Sequence, residues 1–159
     1  VLRALIVLAS AIAMEGVAAL VHRLWMHGPG WGWHRSHHEP GPARIERNDA
    51  YAVVFAAIAV VLFVVGQGPW WPLYWVAAGM TLYGLLYGLV HDGLVHRRWP
   101  LRWSPRRGGY LARLVQAHRL HHAVGTREGA VSFGFLFARH PSRLAAELRA
   151  RRRGRGAST

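Results

Sequence analysis

Cysteine is absent from these 159 residues, and that absence excludes disulfides, thiolate-held zinc, iron–sulfur clusters and cysteine nucleophiles together. Any metal must be held by nitrogen or oxygen. Lysine is absent too, so twenty arginines carry the positive charge against only seven acids, leaving a formal charge of +13. That charge favours anionic partners or surfaces. No fold-level nucleic-acid motif accompanies it, so nucleic acid is not an expected partner. No dinucleotide fingerprint follows a strand, and no flavin site is expected. About half of the chain is apolar (52%), enough for a single folded unit. What the chain has in excess is histidine, eleven in all, and imidazole is the commonest protein ligand for iron, zinc and copper.

Three apolar stretches read as membrane spans: Ala4 to Val21, Ala50 to Val65 and Trp70 to Val90. At about 1.5 Å per residue the first covers roughly 27 Å, close to the roughly 30 Å of hydrocarbon; the second is somewhat shorter and the third comfortably long. Gly66-Gln67-Gly68-Pro69 is too short to do more than join antiparallel neighbours, so the second and third spans form a hairpin. Gly84 and Gly88 have small-xxx-small spacing, which lets helices approach, but glycine is also simply frequent in membrane helices, and that reading is preferred. A cleaved signal at Ala11-Ile12-Ala13 is not expected, because the apolar run continues to Val21.

Arginine placement sets the topology. Arg23, Arg35, Arg44 and Arg47 lie between the first two spans and fifteen arginines follow the third, while the turn from Gly66 to Pro69 has none. The positive-inside rule therefore puts residues 22 to 49 and everything after Val90 in the cytoplasm, with the N-terminus outside. The expectation is an all-α integral membrane bundle with three transmembrane helices, or four, in the inner membrane, and a histidine di-metal site on its cytoplasmic face. Residues 1–148 form one membrane-embedded domain, and 149–159 an arginine-rich flexible tail that contacts lipid headgroups.

Ten histidines follow a repeated grammar: HxxxxH then HxxHH, given twice. They are His22 and His27, then His34, His37 and His38, then His91 and His96, then His118, His121 and His122. His140 stands outside it and is read as a surface residue. On a helix, i, i+3 and i+4 lie within an arc of about 100°, so each HxxHH presents three imidazoles from one face. Positions i and i+5 are about 140° apart, so an ideal helix cannot aim both members of HxxxxH at one ion. Either the helix is broken there, as Gly28-Pro29-Gly30 and Pro100 suggest, or the two members serve different ions. Ten imidazoles exceed the needs of one ion, so two ions are expected. Haem is disfavoured, because the interior of the third span holds no histidine to act as axial ligand.

Acids near the clusters are Glu39, Asp92 and Glu128, with Glu46 and Asp49 further along. A ligating imidazole usually donates its other N–H to a carboxylate or carbonyl, and Asp92 beside His91 is the preferred acceptor, against an ordinary ion pair with Arg97. Glu15 falls inside the first span seven residues before His22, where an acid suggests function or pairing across helices.

The stretches HRLWMHGPGWGWHRSHHEP from His22, HDGLVHRRWP from His91 and AHRLHHAVGTREGAVSFGFLFA from Ala117 resemble the bacterial β-carotene hydroxylases of the fatty acid hydroxylase superfamily, and the resemblance covers nearly the whole chain. It implies two non-haem iron ions held by the ten histidines, O2 as co-substrate, and hydroxylation of the β-ionone rings of β-carotene at carbon 3, giving β-cryptoxanthin and zeaxanthin. Pro29 departs from a stretch usually rich in Gly and Trp. Fatty-acid or sterol hydroxylases and desaturases would use the same irons, and a membrane metal-binding or transport protein is the alternative of another class. The substrate would reach the site from the lipid bilayer, with Trp25, Trp31, Trp33 and Tyr87 anchoring the interface or lining the way in. Electrons must come from outside the chain, and an acidic ferredoxin or flavodoxin-like donor suits the arginine-rich face.

Overall fold

The computed structural model describes residues 1–39, 45–100 and 103–156. Pro40, Arg44 and the last three residues of the expected tail lie outside the described residues. The described chain is helical, with no strand: α1 (Leu2–Val21), α2 (Trp31–His38), α3 (Asp49–Val65), α4 (Trp71–Tyr87), α5 (Tyr110–His122) and α6 (Pro141–Gly156). Two of these helices continue as wide π-helical turns, α1 through His22–Met26 and α4 through Gly88–Val95. With these extensions, Leu2–Met26 and Trp71–Val95 are each 25 residues long and apolar enough to cross a membrane, whereas α3 is apolar but shorter. Little of the two long helices is covered by the rest of the chain, which is not how a buried core helix of a water-soluble protein looks.

The expected hairpin is present. α3 ends at Gly66 and α4 starts five residues later, and glycine is needed at this turn because a Cβ on residue 66 would lie 2.3 Å from the Tyr74 backbone nitrogen. α1 packs along α4, and their closest approach is at Gly79: a Cβ there would lie 2.5 Å from both the Val7 carbonyl oxygen and Ser10 Cβ. The small residue that joins the helices is therefore Gly79. Gly84 has open space around it, and Gly88 faces the Trp99 ring at an ordinary 3.6 Å. α3 packs on α4 but hardly on α1, so a gap remains between α1 and α3.

Beyond the helix ends, α5 and α6 close over the chain through a core of Val90, Leu114, Ala117, Val131, Ala138, Leu144 and Leu148. The start of the expected tail belongs to α6, and there Arg151 and Arg152 donate hydrogen bonds to the carbonyls of Ala130 and Ala123 (2.9 and 2.8 Å). Glu15 pairs across helices. Its carboxylate accepts the Tyr83 hydroxyl of α4 at 2.9 Å and the backbone N–H groups of Phe135, Leu136 and Phe137 at 2.9 to 3.1 Å. One acid in α1 thus fixes a segment about 120 residues away.

Gly79→Leu is expected to force α1 from α4 and to cost roughly 1–3 kcal/mol, read as a lower thermal midpoint in detergent. An unchanged midpoint would contradict this packing.

Candidate metal centre

Both HxxxxH pairs sit on the π-helical turns. The His27 backbone N–H donates to the His22 carbonyl at 3.0 Å, and the His96 N–H to the His91 carbonyl at 2.9 Å. These are i+5 to i bonds. Such a turn takes in one more residue than an α-turn, so residue i+5 returns close to the direction of residue i. The 140° divergence of an ideal helix is thereby removed, and both members of each pair converge on one place. The helix is widened at the pair, and the first then ends at the expected Gly28-Pro29-Gly30.

The ligand atoms gather in two sets. His22, His27, His34, His38 and His121 form one, and His37, His91, His96 and His118 the other. His122 lies beside the second set, its Nε2 2.8 Å from that of His118. Each HxxHH motif is therefore divided between the sets and does not supply one facet. From His34, the side chain of His38 is offset by about 40° to one side and that of His37 by about 60° to the other. The two halves of the chain do this alike: each keeps its HxxxxH pair and the outer histidines of its HxxHH together, and lends the middle one, His37 or His121, to the opposite set.

The orientation of the rings decides what they can do. Nδ1–H of His22, His27, His38 and His121 donates to the carbonyls of Phe133, Arg127, Val124 and Val131, at 2.9, 2.7, 2.9 and 3.1 Å. His34 is held by Asn48 Oδ1 at 2.7 Å, His37 by Glu46 at 3.0 Å and His91 by Asp92 at 2.8 Å. A carbonyl or carboxylate cannot donate, so the proton of each neutral ring is on Nδ1 and its Nε2 carries a bare lone pair. Those Nε2 atoms face one another: His22 to His34 at 3.0 Å, His27 to His121 at 3.1 Å, His34 to His38 at 3.2 Å and His37 to His91 at 3.2 Å. Two lone pairs make no hydrogen bond, whereas a cation between them satisfies both. For metal–nitrogen bonds of about 2.1 Å, ligands at right angles are about 3.0 Å apart and tetrahedral ones about 3.4 Å. The observed spacings fit an ion with more than four ligands, and the all-imidazole donor set suits a transition metal such as zinc, copper, iron or nickel.

Burial, and then mutual repulsion, lower the basicity of these rings. His34 and His96 are pushed down to about 3, His38 to about 4 and His122 to about 2, and His37, His118 and His121 also fall well below the ordinary value. These rings are uncharged at neutral pH, the state that binds metal.

Of the acids, Glu46 and Asp92 meet imidazoles. Asp92 lies 3.7 Å from Arg98, which is paired at 2.7 Å with Asp49. Glu39 pairs with Arg35 and Glu128 lies near Arg127, both exposed. His140 is exposed, against Ser142. Sequence reasoning missed Asn48 and the four carbonyls between Val124 and Phe133. The glycines at 125, 129 and 134 were the available sign that this segment is irregular enough to turn its carbonyls inward. Ser132, between two of those carbonyls, has a left-handed φ of 61°, a costly conformation of the kind that collects at functional sites.

A cavity of about 440 Å³ fills the gap between α1, α3 and α4. Its walls are mostly apolar, and its inner end carries His34, His37 and His91 with Asn48, Asp49, Asp92 and Phe135. The Phe135 ring stacks on His22 at 5.0 Å and meets His91 edge-on at 5.3 Å, so rings of both sets stand behind it. Tyr87 lines the cavity and stacks on His91 at 4.5 Å. Trp31 packs against His27 and His38, while Trp25 and Trp33 are exposed.

The depressed imidazoles take up protons near 6.5 in the unfolded chain and only near 3 to 4 when folded. Between those values the unfolded state holds more protons, so stability is lost as pH falls. The melting temperature of metal-free protein is expected to be level above about pH 7 and to drop from about pH 6.5 downward. A melting temperature that rises on acidification would contradict this.

No solved structure matches the chain. It is 63% identical to the β-carotene hydroxylase of Pseudescherichia vulneris over 92% of this chain and 83% of that protein. Against the β-carotene hydroxylase of Pantoea ananas it is 60% identical over 93% and 84%. It is also 39% identical to the chloroplastic β-carotene 3-hydroxylase 1 of Arabidopsis thaliana, over 71% of this chain and 37% of that one. The fatty acid hydroxylase profile matches residues 7–139, a stretch that holds all ten clustered histidines and the carbonyls behind them, and the chain belongs to the fatty acid hydroxylase family.

Proposed function

We propose that this chain is a β-carotene hydroxylase: a membrane enzyme that uses two irons and O2 to hydroxylate carotenoid β-ionone rings. The observation that carries the metal chemistry is the set of Nε2 lone pairs facing one another in two groups at the end of an apolar cavity. The named relatives support the substrate.

His22, His27, His34, His38 and His121 would hold one iron, and His37, His91, His96, His118 and His122 the other. The irons supply the capacity to reduce O2 and to oxidise an unactivated C–H bond. One oxygen atom enters the ring carbon as hydroxyl, the other leaves as water, and two electrons and two protons are consumed. The protein's work is positional. Carbonyls and carboxylates fix each imidazole by its Nδ1–H, the apolar walls exclude water, and Phe135 with the histidine floor sets how closely a ring carbon can approach.

In this reading α1, α3 and α4 all span the inner membrane, with the shorter α3 accommodated by local thinning of the bilayer. The histidine end lies on the cytoplasmic side, where the arginines concentrate. An acidic redox protein would dock there and deliver electrons. Its steering should weaken with ionic strength, so turnover with a ferredoxin donor is expected to fall as salt rises; turnover indifferent to salt would count against this partner.

Expression in a host that accumulates β-carotene is expected to convert it to β-cryptoxanthin and zeaxanthin, as read by pigment chromatography. His37→Ala and His121→Ala should abolish the conversion, and Asp92→Asn or Glu46→Gln should reduce it about 10- to 100-fold. Conversion that survives both alanine variants would refute the assignment, and hydroxylation of fatty acids with β-carotene untouched would favour the other branch of the family.

A further inference from the structure

Gly84, like Gly16 of α1, has no packing neighbour that requires a small residue, and what sets it apart is its place. Glycine in the middle of a helix costs about 1 kcal/mol relative to alanine, and a Cβ here would meet nothing within 4 Å. No neighbouring helix requires the small residue. Gly84 does, however, line the cavity, and it is exposed, so it stands on the cavity's rim. Thr81 and Leu85 of α4, and Ala52, Ala56 and Val60 along one stripe of α3, are also both exposed and cavity-lining. The cavity therefore opens sideways, along a slot between α3 and α4. The outer surface beside this slot is apolar, with Val53, Val61 and Leu86 exposed.

The cavity is also too short for a whole extended carotenoid. Along α3 the lining runs from Asp49 to Phe63, about 21 Å at 1.5 Å per residue, room for one β-ionone ring and part of the polyene but not for the extended length of a whole carotenoid. The remainder of the substrate has to leave the protein while its ring is at the histidines.

From the open slot, its unexplained glycine and this shortfall in length, we propose that Gly84 is a specificity-determining residue: the polyene passes over it, through the slot and into the bilayer, while one ring occupies the cavity. This rests on the carotenoid reading above. It follows that the two rings are presented in separate binding events, because the far ring lies outside the protein while the near one reacts.

The test compares iron-loaded wild type with Gly84→Phe and Gly84→Ala on two substrates, β-carotene and β-ionone; the latter fits wholly inside the cavity. Gly84→Phe is expected to lower kcat/KM for β-carotene, relative to that for β-ionone, by roughly tenfold or more. Gly84→Ala should lower the ratio less. Leu86→Phe, also exposed on α4 but off the rim, should leave the ratio unchanged. Iron content and melting midpoint are measured on every variant to establish that each is folded.

An unchanged ratio in Gly84→Phe overturns the slot. So does a wild type that hydroxylates β-carotene but not β-ionone, since a ring that fits inside should react without its tail. If the slot instead houses a lipid acyl chain, Gly84→Phe lowers the melting midpoint and both activities alike, which also overturns the proposal. A wild type that hydroxylates neither substrate refutes the carotenoid reading itself, a failure distinct from the others.

Discussion

Lone pairs on neighbouring nitrogens repel, and this chain buries many of them face to face. His22, His34, His37, His91 and His121 are all nearly inaccessible, and the Nε2 atoms around them stand about 3 Å apart with their protons committed to the opposite side of each ring. In the absence of a cation the arrangement is electrostatically unfavourable, and burial of His34, His37 and His121 disfavours relief by protonation. The rest of the architecture holds the rings in place despite this. The π-helical turns aim the HxxxxH pairs, and the segment from Val124 to Phe133 supplies the carbonyls. Glu15, by gripping the backbone from Phe135 to Phe137, ties that segment to α1.

The division of each HxxHH motif makes the two sets interdependent. Because His37 and His121 each cross to the other half's set, neither half of the chain can complete its own set alone. Two ions bound in this way would join α1, α2, α4 and α5 at one end of the bundle and would link metal binding to folding. The same crossing brings rings of both sets to one end of a single cavity, where His34, His37 and His91 line it together.

Much of this was legible in the sequence. Ten histidines in a doubled grammar announced the cluster, the apolar runs marked α1, α3 and α4, and Gly66-Gln67-Gly68-Pro69 marked the hairpin. The illegible parts have physical reasons. Helical periodicity showed that HxxxxH does not fit an α-helix, but a break and a widened turn are equal solutions to that conflict, and side-chain identity does not choose between them. Backbone carbonyls carry no residue signature, so the acceptors for His22, His27, His38 and His121 were invisible. Asn48 lies fourteen residues from the ring it orients. Gly79 and Gly84 look alike in sequence, yet one lets two helices touch and the other leaves a gap open.

The central claim is that two cation positions, each lined by imidazoles from both halves of the chain, are built into the fold. Metal analysis of purified protein reconstituted with ferrous iron tests it directly. The account predicts two irons per chain in wild type, with a substantial loss in His121→Ala; a saturating stoichiometry of one or none would contradict it.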